Sequence, residues 1–204
     1  MLYRGGDVAG IDPATQTGIA RGAPGKVPTL IFKDFRVLDK DSHGLIFQRA
    51  GVWWATECQR NPPGIVFIEG PVPPSKIKRR NPETGEVEPA TNFYPTLMAF
   101  GLYAIFHMVT RANGIPIYDA NIRSWRSTFY GEGNGNIKKS ESKDLAKRAC
   151  VILGWDHKRN HNAAESGGIW AYGVMQLIKK RMISGKLAPQ LWRLKPMFER
   201  MDAA

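Results

Sequence analysis

Short apolar runs alternate along this chain with longer stretches whose apolar residues recur at helical spacing. Val8, Ala9, Gly10 and Ile11 form one run, closed by Asp12-Pro13. Thr15-Gln16-Thr17-Gly18 turns the chain, residues 18–21 read as a second strand, and residues 27–38 alternate around Leu30, Phe32, Phe35 and Val37. Three antiparallel strands are therefore expected to open the domain. A helix follows, capped by Asp41-Ser42, with Leu45, Phe47, Val52, Trp53 and Cys58 along it, and Pro62-Pro63-Gly64 stops it. Residues 65–68 are continuously apolar and run into Glu69-Gly70-Pro71, which suits a strand buried on both faces.

Residues 73–92 hold Lys76, Lys78, Arg79 and Arg80 with little apolar content, and read as a long surface loop. A helix over 94–113 ends at Gly114, and a short strand over 115–118 ends at Asp119. Ser140 is the expected cap of a helix that Gly154 ends, and a last helix spans 162–183. The order β-β-β-α-β-α-β-α-α predicts a mixed α/β sheet with helices on its faces.

Composition adds less than charge does. Hydrophobic residues make up 43% of the 204 and charged residues 23%, which excludes disorder as the main state. The length fits one domain, expected over 1–185, with a basic tail over 186–204. The net charge of +11 points to a polyanionic partner, nucleic acid before an anionic membrane surface. Arg123, Arg126, Lys138, Lys139, Lys143 and Lys147 fall in the most basic stretch. The longest apolar run, 97–109, is interrupted by His107 and too short to span a bilayer, so no membrane partner is expected. The opening residues lack a basic stretch followed by an apolar one, so no secretory leader and a cytoplasmic location are expected. Cys58 and Cys150 are too few for a disulfide framework or a thiolate zinc site and read as packed hydrophobes. Neither the glycines near Gly22 nor those from Gly131 to Gly135 have phosphate-loop or dinucleotide spacing, so no organic cofactor is expected.

The acids carry the chemistry. Asp12 and Glu69 each end a strand-like run, where a carboxylate is costly unless compensated. Either one alone reads as a cap or a loop salt bridge. If their strands are neighbours, the two lie at the same end of the sheet, and close carboxylates favour a shared proton or a bound cation. On the last helix His161 and Asn162 lie four and three residues before Glu165, on one helical face. Ala163, Ala164, Gly167 and Gly168 would let that helix press on the sheet and bring Glu165 toward Asp12 and Glu69. Three converging carboxylates in a basic chain suit hydrolysis of a phosphodiester with two Mg²⁺ ions. Among the aromatics, Phe93, Tyr94 and Tyr130 flank basic loops and could stack on unpaired bases.

Gly10-Ile11-Asp12-Pro13, Thr17-Gly18, Ile68-Glu69 and Ala163-Ala164-Glu165 resemble the RuvC-type Holliday-junction resolvases of the RNase H-like, retroviral-integrase superfamily. Trp125-Arg126, Gly131-Glu132-Gly133, Ser142-Lys143 and Leu153-Gly154-Trp155 are most similar to the bacteriophage branch. The resemblance covers about residues 7–184. It implies a mixed five-stranded sheet, three antiparallel strands then two parallel, flanked by helices. It also implies a homodimer that nicks branched DNA with Mg²⁺ or Mn²⁺, two ions per site, in a bacterial or phage-infected cell. Carried over by position, Asp12, Glu69 and Glu165 are metal ligands. Glu165 stands where the family usually has Asp. Asn162 stands where classical members have Asp or His, with His161 or Asp156 as candidates to supply the missing charge or ligand. Arg126 and, approximately, Lys143 fall at basic positions near the scissile phosphate. The alternatives are a flap, fork or hybrid nuclease of the same fold, and a junction-binding homologue without catalysis.

Overall fold

The computed structural model describes residues 3–36, 43–72, 78–80, 87–89, 93–131 and 134–187. Strands β1 (Val8–Asp12), β2 (Gln16–Gly22) and β3 (Thr29–Asp34) are followed by helix α1 (His43–Arg60) and strand β4 (Ile65–Glu69). Short strands β5 (Lys78–Arg80) and β6 (Val87–Pro89) precede helix α2 (Phe93–Ala112) and strand β7 (Ile117–Ala120). Helices α3 (Ile122–Tyr130), α4 (Lys139–Leu153) and α5 (His161–Lys179) complete the order.

The main sheet has the order β3-β2-β1-β4-β7. β1 runs antiparallel to β2, and β2 to β3, while β4 is parallel to β1 and to β7. This is the expected sheet of three antiparallel strands followed by two parallel ones. The central strands β1 and β4 are buried along almost their whole length, which is why both read as unbroken apolar runs.

One layer, α3, α4 and α5, covers one face, with a core that includes Phe67, Trp125, Phe129, Trp155 and Ile169. Helices α1 and α2 cover the other, around Ile11, Trp54, Ile68, Leu102 and Phe106. There the buried Trp54 indole donates to the Thr110 hydroxyl at 2.8 Å, which in turn donates to the Phe106 carbonyl. Burial pushes the thiols of Cys58 and Cys150 up to about 12, as expected of packed hydrophobes. Among the described residues no helix is long and apolar enough to cross a membrane.

Several sequence expectations are corrected. The stretch read as one long loop holds the antiparallel pair β5–β6, with Arg79 opposite Glu88. Strand β7 starts two residues later than expected, because the Pro116 carbonyl first accepts from Val66 at the start of the parallel pairing. Helix α3 was not expected at all. Its cap is the Asn121 side chain, which accepts from the backbone N–H groups of Arg123 and Ser124. Ser140 does not cap α4. The cap position is Lys138, whose backbone N–H donates to the Glu141 carboxylate, so the helix begins one residue before Ser140. Gly154 does end α4, in the left-handed conformation that glycine takes most readily. Helix α5 stops at Lys179, short of Ile183. The expected cap Asp41-Ser42 and residues 188–204 of the tail lie outside the described residues.

Candidate active site

Parallel pairing of β1 and β4 sets Ile11 beside Ile68, so the next residues, Asp12 and Glu69, leave the same end of adjacent strands. Helix α5 crosses this end. Its own cap, the Asn160 side chain accepting from Ala163, starts the helix just where His161, Asn162 and Glu165 are needed. Close approach depends on glycine. A Cβ on Gly18 would overlap the Asn162 carbonyl, and one on Gly10 would come within 2.6 Å of the Ser166 carbonyl.

Asp12, Glu69, Arg126, Lys143, His161, Asn162 and Glu165 all line one cleft of about 830 Å³. The three acids expected to meet therefore share a cavity with two cations. Arg126, Asn162 and Glu165 are among the few buried polar side chains. The Asn162 amide nitrogen donates to the Gln16 carbonyl. A backbone carbonyl only accepts, so this contact fixes the amide orientation and leaves the carbonyl oxygen as the atom Asn162 can offer an ion.

The carboxylates are held by neutral donors. The Trp125 indole N–H donates to Glu69 Oε2 at 2.6 Å, and the Ser142 hydroxyl donates to Glu165 Oε1 at 3.0 Å. Arg126 stands 4.0 Å from the same Glu165 oxygen, beyond hydrogen-bond reach. Its Nη1 donates to the Ile137 carbonyl at 3.4 Å, and its buried Nε has no hydrogen-bond partner. The guanidinium lies 5.5 Å from the Trp125 ring centre. Burial raises the Tyr130 phenol above its ordinary range, so it remains a donor, to the Ser142 carbonyl at 3.1 Å.

This donor set fits a hard divalent cation in kind: carboxylate oxygens with an amide oxygen and an imidazole beside them. Among the described residues, however, no three His, Cys, Asp or Glu side chains form a ready-made cluster. The acids share a cleft, with Glu69 bonded to Trp125 and Glu165 to Ser142. Asp156 is not part of the cleft. It pairs with Lys158 in the turn before α5, and that partner holds its carboxyl below the usual range.

Of the basic residues expected on nucleic acid, Lys143 and Lys147 lie one turn apart on α4, half-buried, and Arg123 and Lys138 are exposed. Lys78, Arg79 and Arg80 form β5, Lys139 opens α4, and Lys76 lies outside the described residues. Tyr94 lines the cleft mouth, where its ring stacks on His43 with centroids 5.3 Å apart. Tyr130 is fully buried and cannot reach a base. Trp125 and Ser142 enter the sequence reading only as parts of resemblance motifs, with no role given to either. Trp125 belongs to a legible pattern, Ile122, Trp125 and Phe129 after a capping Asn121, whereas nothing local marks Ser142.

No protein-family model matches the chain, and no curated protein matches it. Solved structures do. Thermus thermophilus RuvC in complex with a Holliday junction substrate is similar with a TM-score of 0.56 at 17% identity, over 86% of this chain and 95% of that one. A second Thermus thermophilus RuvC structure gives 0.55 at 17% identity, over 86% and 96%. The yeast mitochondrial Holliday junction resolvase Ydc2 gives 0.52 at 12% identity, over 98% and 86%. The sheet order, the helices on both faces and these three likenesses together give the chain a RuvC-like fold of the RNase H type.

Proposed function

We propose that the chain is a metal-dependent, structure-selective DNA endonuclease that resolves four-way junctions. The observation that carries this reading is one cleft that receives Asp12, Glu69 and Glu165 from three separate elements, with Arg126 and Lys143 on its wall. The net charge of +11 supports a polyanionic substrate. Two of the proteins with this fold are named as acting on or bound to Holliday junctions, which favours branched DNA over duplex. Membership of the phage branch and a cytoplasmic location belong to the same proposal.

Asp12, Glu69 and Glu165, with the Asn162 carbonyl oxygen, would hold Mg²⁺ or Mn²⁺, and His161 is the imidazole beside them. The chemistry such ions supply is polarisation of the scissile phosphate and a more acidic attacking water. The chain's own contribution is positioning and charge. Arg126, buried and without a hydrogen bond to Glu165, offers a preorganised cation to the phosphate, where it is worth more than in water. Lys143 adds a second, and Lys147, Arg123, Lys138 and Lys139 extend the basic surface along the DNA arms. Lys76, Lys78, Arg79 and Arg80 follow Glu69 directly in sequence and belong to the same interface.

A homodimer is part of the reading. Phe100, Ala104 and Met108 recur every four residues on α2 and are exposed, Met108 by 61%. An apolar stripe on the outside of a helix fits a second copy of the chain.

The test incubates four-way junctions, forks, duplex and RNA–DNA hybrid with the protein and Mg²⁺ or Mn²⁺. Paired symmetric nicks on the junction are expected, with Asp12→Asn slowing cleavage more than about 100-fold while junction binding persists. Equal cutting of all branched forms points to a flap or fork nuclease. Binding without cutting, unchanged by Asp12→Asn, makes the chain a junction-binding protein.

A further inference from the structure

We propose that Trp125 and Ser142 are positioning residues that fix the carboxylates of Glu69 and Glu165 for a divalent cation. The inference rests on the metal reading above and deepens it.

A single nine-residue helix reaches both acids. Trp125 of α3 donates to Glu69 directly. Tyr130, at the other end of α3, donates to the Ser142 carbonyl and lies 3.2 Å from the Ser142 hydroxyl, which donates to Glu165. A carboxylate oxygen only accepts, so the serine proton goes to Glu165 and the tyrosine proton points at serine. Neither donor has room to turn. Trp125 is fully buried and meets the Tyr130 ring edge-on at 5.6 Å. It also packs so closely on α5 that a Cβ at Gly168 would stand 2.8 Å from its ring. Ser142 is fully buried as well.

The choice of neutral donors matters. A salt bridge would orient each acid but cancel the charge a cation needs. An indole N–H and a hydroxyl orient a carboxylate without themselves adding a compensating charge. Arg126 forms an ion pair with Glu165 at 4.0 Å, too long for a hydrogen bond, so the hydrogen bond that orients this oxygen comes from Ser142. Trp125 on Glu69 Oε2 and Ser142 on Glu165 Oε1 thus restrict how each carboxylate is turned toward the cleft.

Mn²⁺ binding to the DNA-free protein, followed by electron paramagnetic resonance, tests this. Trp125→Phe and Ser142→Ala are each expected to weaken Mn²⁺ binding by about 10- to 100-fold. Both should lower kcat for junction cleavage, while junction binding in EDTA stays within about twofold of wild type. Unchanged Mn²⁺ affinity in both variants overturns the positioning role and leaves the metal reading standing. Junction binding lost in proportion to Mn²⁺ affinity marks a structural role and also overturns it. No Mn²⁺ binding by the wild-type chain overturns the metal reading and this inference with it. If Trp125→Phe fails to fold, benzothienylalanine at the same position, which replaces the N–H by sulfur in a ring of similar size, carries the test.

Discussion

The two faces of the sheet are packed in different ways. Helix α5 buries thirteen of its nineteen residues, while α1, of nearly the same length, buries only Ala50, Trp54 and Cys58. The α5 face is built on small residues: Gly10 and Gly18 in the strands, Ala163, Ala164, Gly168 and Gly173 in the helix. At Gly10 and Gly18 backbone lies against backbone, which sets the position of Glu165 relative to Asp12 by main chain, whereas Gly168 and Gly173 make room for the Trp125, Phe129 and Phe67 rings. The α1–α2 face is filled by large side chains and leaves Val52, Phe100 and Met108 exposed. Its tightest spot, the Phe47 ring over Gly101, is the far end of a side chain that can move. Of the two faces, the tighter backbone contacts are thus on the one whose helix carries Glu165, while α1 and α2 leave apolar side chains exposed.

Substitutions can probe that contrast. Gly18→Ala should have the largest effect, because the added methyl overlaps the Asn162 backbone and neither β2 nor α5 can yield alone. A loss of about 3 kcal/mol is expected in denaturant unfolding. A near-neutral result would mean that the α5 face is adaptable and that the contrast is mistaken. Met108→Lys comes next. Monomer stability should stay within about 0.5 kcal/mol, as for most surface changes. Sedimentation is expected to show the proposed dimer weakened relative to wild type, and a wild-type monomer would remove α2 as the association face. Gly51→Ala should be the smallest. Its Cβ would sit 3.4 Å from Ile105 Cγ2, an ordinary contact, and alanine favours the helix interior. A gain of about 0.5 kcal/mol in thermal unfolding is expected.

The backbone of the site was legible from sequence because it rests on strong local signals. Continuous apolar runs ending in Asp12 and Glu69 mark buried strands, while the parallel pairing that makes them neighbours is seen only in the structure. Glu165 is legible from its spacing to Asn162 and from the small residues around it. Helix α3 was obscured because Arg123, Ser124, Arg126 and Ser127 read as basic loop, although Asn121 is a good cap. The β5–β6 pair lies among prolines and charges that carry no alternating apolar signal. The roles of Trp125 and Ser142 escaped for a different reason. Their bonds to Glu69 and Glu165 cross 56 and 23 residues of chain. A neutral donor leaves no trace in composition or charge.

Asn121 is the single residue between β7 and α3. Across the sheet, the last residue of β7, Ala120, is in register with Glu69. Four residues after Asn121, Trp125 returns to that same glutamate. The chain therefore closes a small circuit whose length admits no slack. One residue inserted in the first turn of α3 would preserve every other element and swing the indole by about 100° around the helix axis. This segment should tolerate changes of side chain far better than changes of length.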